Sequence, residues 1–240
     1  MVVTGGWGGG KSKTETHAFN LKSKSFPFES SHMSQPRHCH AIAALSLSNV
    51  VVLGGCHDSP GNALSTCENY SLQTNSWAMS IPPMNEKRFS SGASAFNAAW
   101  IYVFCGAKGK SAGDRLGSVE RLDFSQPVSS MSWEMVSLKL PSSWRRRCLI
   151  GATQITPNQI IIYGDQNEDK LNFMLNMQPE RNYHELMVVK TTRVPIINGF
   201  SEPSLFVENT LFTMEFDSNY LYWFSLNDHE WHYKGFPKIK

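Results

Sequence analysis

Five short apolar runs punctuate the chain: Val2-Val3-Thr4, Val51-Val52-Leu53, Tyr102-Val103-Phe104, Ile161-Ile162-Tyr163 and Phe212-Thr213-Met214. Short runs rich in β-branched and aromatic residues read as strands buried on both faces. A helix would need a longer run at a 3.6-residue period, and none stands out. The residues that follow the runs are Gly5, Gly54, Cys105, Gly164 and Glu215, at steps of 49, 51, 59 and 51. A period near fifty residues marks a repeat architecture.

Two further marks keep the same register. Arg37, Arg88 and Arg147 each precede the residue after the run by 17 positions, and Asn198 holds that place in the last copy. The second of these marks follows each run. Tyr70 leads Trp77 by seven residues, Phe224 leads Trp231 by seven, and Phe19 leads Phe26 by seven. The third copy is looser, with Leu122 and Trp133, and the fourth is weakest, with Leu175 and Tyr183.

The order of apolar run, Gly-Gly and spaced aromatics resembles the kelch repeat, and the resemblance covers nearly the whole chain. Gly5-Gly6 and Gly54-Gly55 keep the glycine pair; Cys105-Gly106, Gly164-Asp165 and Glu215-Phe216 depart from it. The resemblance implies an all-β, kelch-type β-propeller in which each copy is a four-stranded blade. The copies run over about 1–36, 37–87, 88–146, 147–197 and 198–240 of one domain. The first is partial, because nothing before Val2 supplies an inner strand. Kelch propellers commonly have six or seven blades, so four full copies and a partial one leave two readings open. They are a piece of a longer ring or a divergent ring of five.

In the second copy the expected strands are about His40–Leu47, Asn49–Leu53, Cys67–Ser71 and Ser76–Met79. Gly54-Gly55 serves the bend after the second strand, since only glycine takes positive φ at no cost. Pro82-Pro83 and Pro141 break the chain between blades. Trp77, Trp133 and Trp231 are expected to wedge between neighbouring blades. The long third step places an insertion in Lys108–Gly117, whose Gly, Ser, Lys and Asp content reads as an exposed loop.

Composition narrows the function. A net charge of +2 is too small to argue for nucleic acid or a membrane surface. No apolar run approaches the ~18 residues of a membrane span, and the first ten residues lack a secretory pattern. Five cysteines without a Cys-x-x-Cys read as reduced thiols in a cytoplasmic protein.

Candidate chemistry is sparse. His38-Cys39-His40 and Cys56-His57 suggest metal ligands, but neighbouring strand residues point to opposite faces and no zinc-finger spacing is present. No metal or cofactor is therefore expected. Gly5–Ser12 looks superficially like a Walker loop, yet no strand-to-helix context surrounds it. The Tyr–Cys and His set of galactose oxidase-type enzymes and the Glu-x-x-x-Asp-x-x-x-His string of specifier proteins are not found.

The kelch resemblance places Arg37, Arg88 and Arg147 beside the channel mouth. Two readings of them stand. A guanidinium fork suits carboxylates, so the three would form a rim for an acidic partner. Alternatively each bonds carbonyls of an adjacent blade. The expected function is a non-enzymatic module that binds a partner protein or acidic peptide, with no small-molecule ligand. The rivals are an enzyme of the sialic-acid mutarotase type, also built on kelch propellers, and a structural subunit of an assembly.

Overall fold

The computed structural model of the chain describes residues 2–20, 22–29, 31–59, 62–138, 150–164, 171–178, 183–190, 204–207, 210–214, 220–228 and 230–235. The described strands form five antiparallel sheets of four, each drawn from a continuous stretch of chain. The fold is all-β. Among the described residues, helix is limited to 3-10 turns at Ala112–Asp114 and Val128–Ser130.

Sheet 1 holds β1 (Val2–Thr4), β2 (Trp7–Gly8), β3 (Lys11–Ala18) and β4 (Ser31–Arg37). Sheet 2 holds β5 (Ala41–Ala44), β6 (Asn49–Leu53), β7 (Cys67–Ser71) and β8 (Ser76–Ala78). Sheet 3 holds β9 (Gly92–Phe96), β10 (Trp100–Phe104), β11 (Val119–Asp123) and β12 (Trp133–Val136). Sheet 4 holds β13 (Ile150–Thr156), β14 (Gln159–Gly164), β15 (Leu171–Gln178) and β16 (Tyr183–Lys190). Sheet 5 holds β17 (Ser204–Val207), β18 (Thr210–Met214), β19 (Tyr220–Ser225) and β20 (Glu230–Gly235).

Sheets 2 to 5 are simple meanders in chain order. Three expected strands of the second copy match β6, β7 and β8 to within a residue. The first is shorter than expected. It stops at Ala44 because the amides of Leu45 and Ser46 both reach the Asn49 carbonyl, closing a turn that leaves Leu47 fully exposed.

Sheet 1 differs from the rest. The partial first copy, lacking an inner strand, leads one to expect fewer than four strands; four are present, all centred on β3. Its fourth is β4, the segment leading into sheet 2, which pairs along β3 from Thr16↔Ser31 to Lys13↔Arg37. Among the described residues, sheet 1 has no counterpart of β5.

Successive sheets stack face to face. β5 lies against β9, β9 against β13 and β13 against β17, first strand to first strand. The alternation of each strand divides its residues between two neighbours. Val51 and Leu53 of sheet 2 pack with Ile101, Val103 and Leu122 of sheet 3. Tyr102 and Phe104 of sheet 3 point the other way, to Ile160 and Ile162 of sheet 4.

The spaced tryptophans occupy these junctions. The Trp77 indole donates to the Thr16 hydroxyl of sheet 1 at 3.2 Å. Trp133 is 7% exposed and donates to the Pro82 carbonyl at 2.9 Å. Trp231 packs on Tyr163 of sheet 4, with ring centroids 5.6 Å apart. Each ring therefore leans on the sheet before its own.

The bend after β6 requires its glycines. Gly54 and Gly55 have φ of +63° and +96°, and a Cβ on Gly55 would stand 2.8 Å from the His38 carbonyl. In the third copy Cys105 takes φ +52° at the position of Gly54, a left-handed conformation without glycine's freedom.

Candidate functional site

Arg37 and Arg88 lie at one end of the sheets, beside the bends after β6 and β10. Both are 0% exposed. The Arg37 guanidinium donates to the carbonyls of Gly54 at 2.8 Å and Thr66 at 2.9 Å, and to Glu68 Oε1 at 2.6 Å. Arg88 repeats the set, donating to the carbonyls of Cys105 at 2.8 Å and Ser118 at 3.3 Å and to Glu120 Oε1 at 2.5 Å. Glu68 and Glu120 are also 0% exposed.

Each carboxylate has a second task. Glu68 accepts the amides of Ser34 at 2.7 Å and Gln35 at 3.3 Å. Glu120 accepts those of Asn85 at 2.7 Å and Glu86 at 3.1 Å. The segment arriving from the preceding sheet is thus clamped by a carboxylate, and the carboxylate is neutralised by an arginine from the same segment. Burial of both charges is tolerable because each is paired and hydrogen-bonded, although the Nε of Arg37 and of Arg88 is buried without a partner among the described residues.

This corrects the reading of Arg37 and Arg88 as a solvent-facing rim. Their register was legible, but their forks are spent inside the fold on carbonyls and a carboxylate, so neither can meet an incoming acidic partner. Arg147 lies outside the described residues. The partner glutamates were missed from sequence. The signal was available: Glu68 and Glu120 pair across their ladders with Val52 and Val103, both two residues before the bend. At that register sheet 4 has Phe173, paired with Ile162, and sheet 1 has His17, paired with Val3.

The His/Cys cluster is structural in its geometry. Cys39 follows β4 at φ +51°, so strand alternation does not govern His38, Cys39 and His40. His38 Nδ1 lies 2.9 Å from the Ser12 hydroxyl, and burial lowers its pKa. His40 is buried against the backbone of Gly5 and Gly55. Burial first, then the charge of Arg37, lowers its pKa to about 3, which keeps the ring neutral. Burial raises Cys39 to about 11 and Cys56 and Cys67 to about 12, so these thiols stay protonated. The four described cysteines form no disulfide. Among the described residues no group of three His, Cys, Asp or Glu is placed to hold a metal ion. His232 is part-exposed and sits 3.1 Å from Asp228; His229 lies outside the described residues.

The same end carries the segments that follow the bends of sheets 1, 2 and 3: residues 5–11, 55–59 with 62–66, and 105–118. The first two are tied, since the Ser12 hydroxyl accepts the Asp58 amide at 2.9 Å. There Trp7, 48% exposed, sits edge-on over His38 at 4.8 Å between centroids. The third loop is fixed by the Lys108 amide on the Asp114 carbonyl and the Ser111 amide on the Asp114 carboxylate. These bonds hold Lys108 and Lys110 outward, both exposed, as the expected insertion loop required. The arrangement offers a half-open indole over the buried His38 ring, with two ammonium groups on the third loop. It can bind; hydroxyl–imidazole pairs among the described residues include Ser12 with His38, which is buried, and Thr14 with His32, which is exposed, at 3.1 Å.

No helix among the described residues is long and apolar enough to cross a membrane. Compared with known proteins, the chain matches no family model and no curated protein.

Proposed function

We propose that the chain is a kelch-type β-propeller domain whose role is to bind a partner protein through the loop end of its blades. The reading rests on the repeat marks, on the meander order of sheets 2 to 5 and on their face-to-face stacking. One observation carries the binding role: the loop segments at one end, the first two tied to each other, present the half-exposed Trp7 ring and the exposed Lys108 and Lys110. Aromatic rings are enriched at the centres of protein interfaces. The two ammonium groups favour an acidic segment of the partner, and their exposure makes that attraction salt-sensitive.

The test compares partners captured from the source cell by wild type and by a Trp7→Ala/Lys108→Glu/Lys110→Glu variant. The variant is expected to remain folded and to lose its acidic partner. Lys22→Glu/Lys24→Glu is the control. It makes the same charge change on exposed residues at the opposite end of β3, and it should keep the partner. Retention of every partner by the folded triple variant overturns the reading.

A further inference from the structure

The junctions inside the chain follow a rule. A wedge ring of one sheet lies against the residue just before the bend of the preceding sheet, or against that residue's ladder partner. Trp77 meets Thr16, the partner of Thr4, which precedes Gly5. Trp133 shares a cluster with Leu53, which precedes Gly54, and with its partner Cys67. Trp231 meets Tyr163, which precedes Gly164.

Sheet 1 carries a wedge that no other sheet covers among the described residues. Phe26 packs on Phe19 at 5.1 Å between centroids, as Trp77 packs on Tyr70 at 5.1 Å and Trp231 on Phe224 at 5.3 Å. Yet Phe26 is 63% exposed. Val3, on the same face through its pairing with His17, is 55% exposed. The His17 ring stands 6.1 Å from Phe26. A prepared aromatic wedge is therefore left in water, where apolar area stabilises nothing.

Sheet 5 carries the matching seat. Its residue before the bend position is Met214, whose ladder partner is Leu221. Leu221, Trp223 and His232 share the face turned away from Phe224 and Trp231, and all three are part-exposed. Trp223 and His232 stack at 5.4 Å, forming a flat platform. Lys234, paired with Leu221, adds an exposed cation to this face, while Glu15 lies on the face of sheet 1.

We infer that a second copy of this chain docks head to tail, sheet 1 of one copy on sheet 5 of the next, with Phe26 seated on Leu221 and Trp223. The contact prolongs the stacking that already joins sheets 1 to 5, and this continuity selects a sheet of the same repeat as occupant. The interface is heterologous, so each copy keeps one free wedge and one free seat until the assembly closes. It uses the end sheets rather than the loop end, and it is independent of the partner-binding reading.

Sedimentation velocity over a concentration series tests it. Wild type is expected to form species at multiples of the monomer mass. Phe26→Glu, at an exposed position, is expected to be folded by circular dichroism and monomeric. It retains the seat, so added to wild type it should cap growing assemblies and lower their mean mass. Leu221→Glu is likewise expected to be monomeric while retaining the wedge. Mixing the two variants should restore one contact and stop at a dimer, which a symmetric interface would not do. A wild type that stays monomeric up to about 0.1 mM, the scale of a weak association, overturns the proposal. So does a Phe26→Glu variant that assembles as wild type does, or one that leaves wild-type assemblies unchanged. Assembly of wild type only with another protein would assign the same face to that protein instead.

Discussion

The junction between sheets 2 and 3 and the outer face of sheet 1 are built from the same repeat, and they end in opposite environments. At the junction, Trp133 is 7% exposed and Glu120 is 0% exposed. On the outer face, Phe26 is 63% exposed and His17, at the register of Glu120, is also exposed. The difference teaches that the repeat fixes where a side chain stands, while the neighbouring sheet fixes whether it is buried. Carboxylates stand at this register where an arginine and backbone amides meet them, and a histidine stands there in sheet 1.

The comparison can be broken most strongly at Glu120. Glu120→Ala strips Arg88 of its buried partner and leaves it only the part-exposed Glu86 at 3.3 Å, with the amides of Asn85 and Glu86 unmet, and is expected to cost about 3–5 kcal/mol. Urea unfolding measures it. His17→Ala, at the same register in sheet 1, should change stability by less than about 0.5 kcal/mol. Equal losses at the two positions would end the distinction.

The wedge rings form a graded series. Trp133→Ala removes a buried ring and is expected to cost about 3 kcal/mol. Trp77 is only half-buried, so Trp77→Ala should cost about 1–2 kcal/mol. Phe26→Ala, measured where the chain is monomeric, should cost less than about 0.5 kcal/mol. Thermal or urea denaturation of the three variants gives the order directly.

Acid sharpens the contrast at the junction of sheets 1 and 2. The folded pKa of His40, about 3, lies below its ordinary value of 6.5. The unfolded chain therefore binds the extra proton first. Stability is complete above about pH 6.5 and falls as pH drops toward 3, by up to about 1.4 kcal/mol per unit for this one group. A His40→Asn variant should show a flatter profile over that window in urea melts at several pH values.

Much of the fold was legible because spacing survives without context. The run Val51-Val52-Leu53, the bend at Gly54-Gly55 and the pair Tyr70 and Trp77 placed three strands and a junction correctly. The end of β5 was not legible, since it depends on a turn closed by the Asn49 carbonyl. The arginine register was visible, but its direction was not. A side chain repeated every fifty residues is equally consistent with solvent or with a buried partner. What decides is a glutamate 31 residues further along for Arg37 and 32 for Arg88, on a different strand. Trp7 was hidden for a similar reason, because its support is His38, brought close only by the pairing around β3 and β4.

The carboxylate clamps also redraw the boundaries along which the molecule comes apart. Residues 34–37 belong to β4 of sheet 1, yet the charge of Arg37 and the amides of Ser34 and Gln35 answer to Glu68; residues 85–88 answer likewise to Glu120. The cooperative unit that opens is therefore a sheet together with the connector that leads into it. Amide hydrogen exchange should report this, because opening proceeds in contiguous blocks. The amides of Asn85 and Glu86 are expected to exchange in step with β11, where their acceptor sits, and not with β8, which lies closer along the chain.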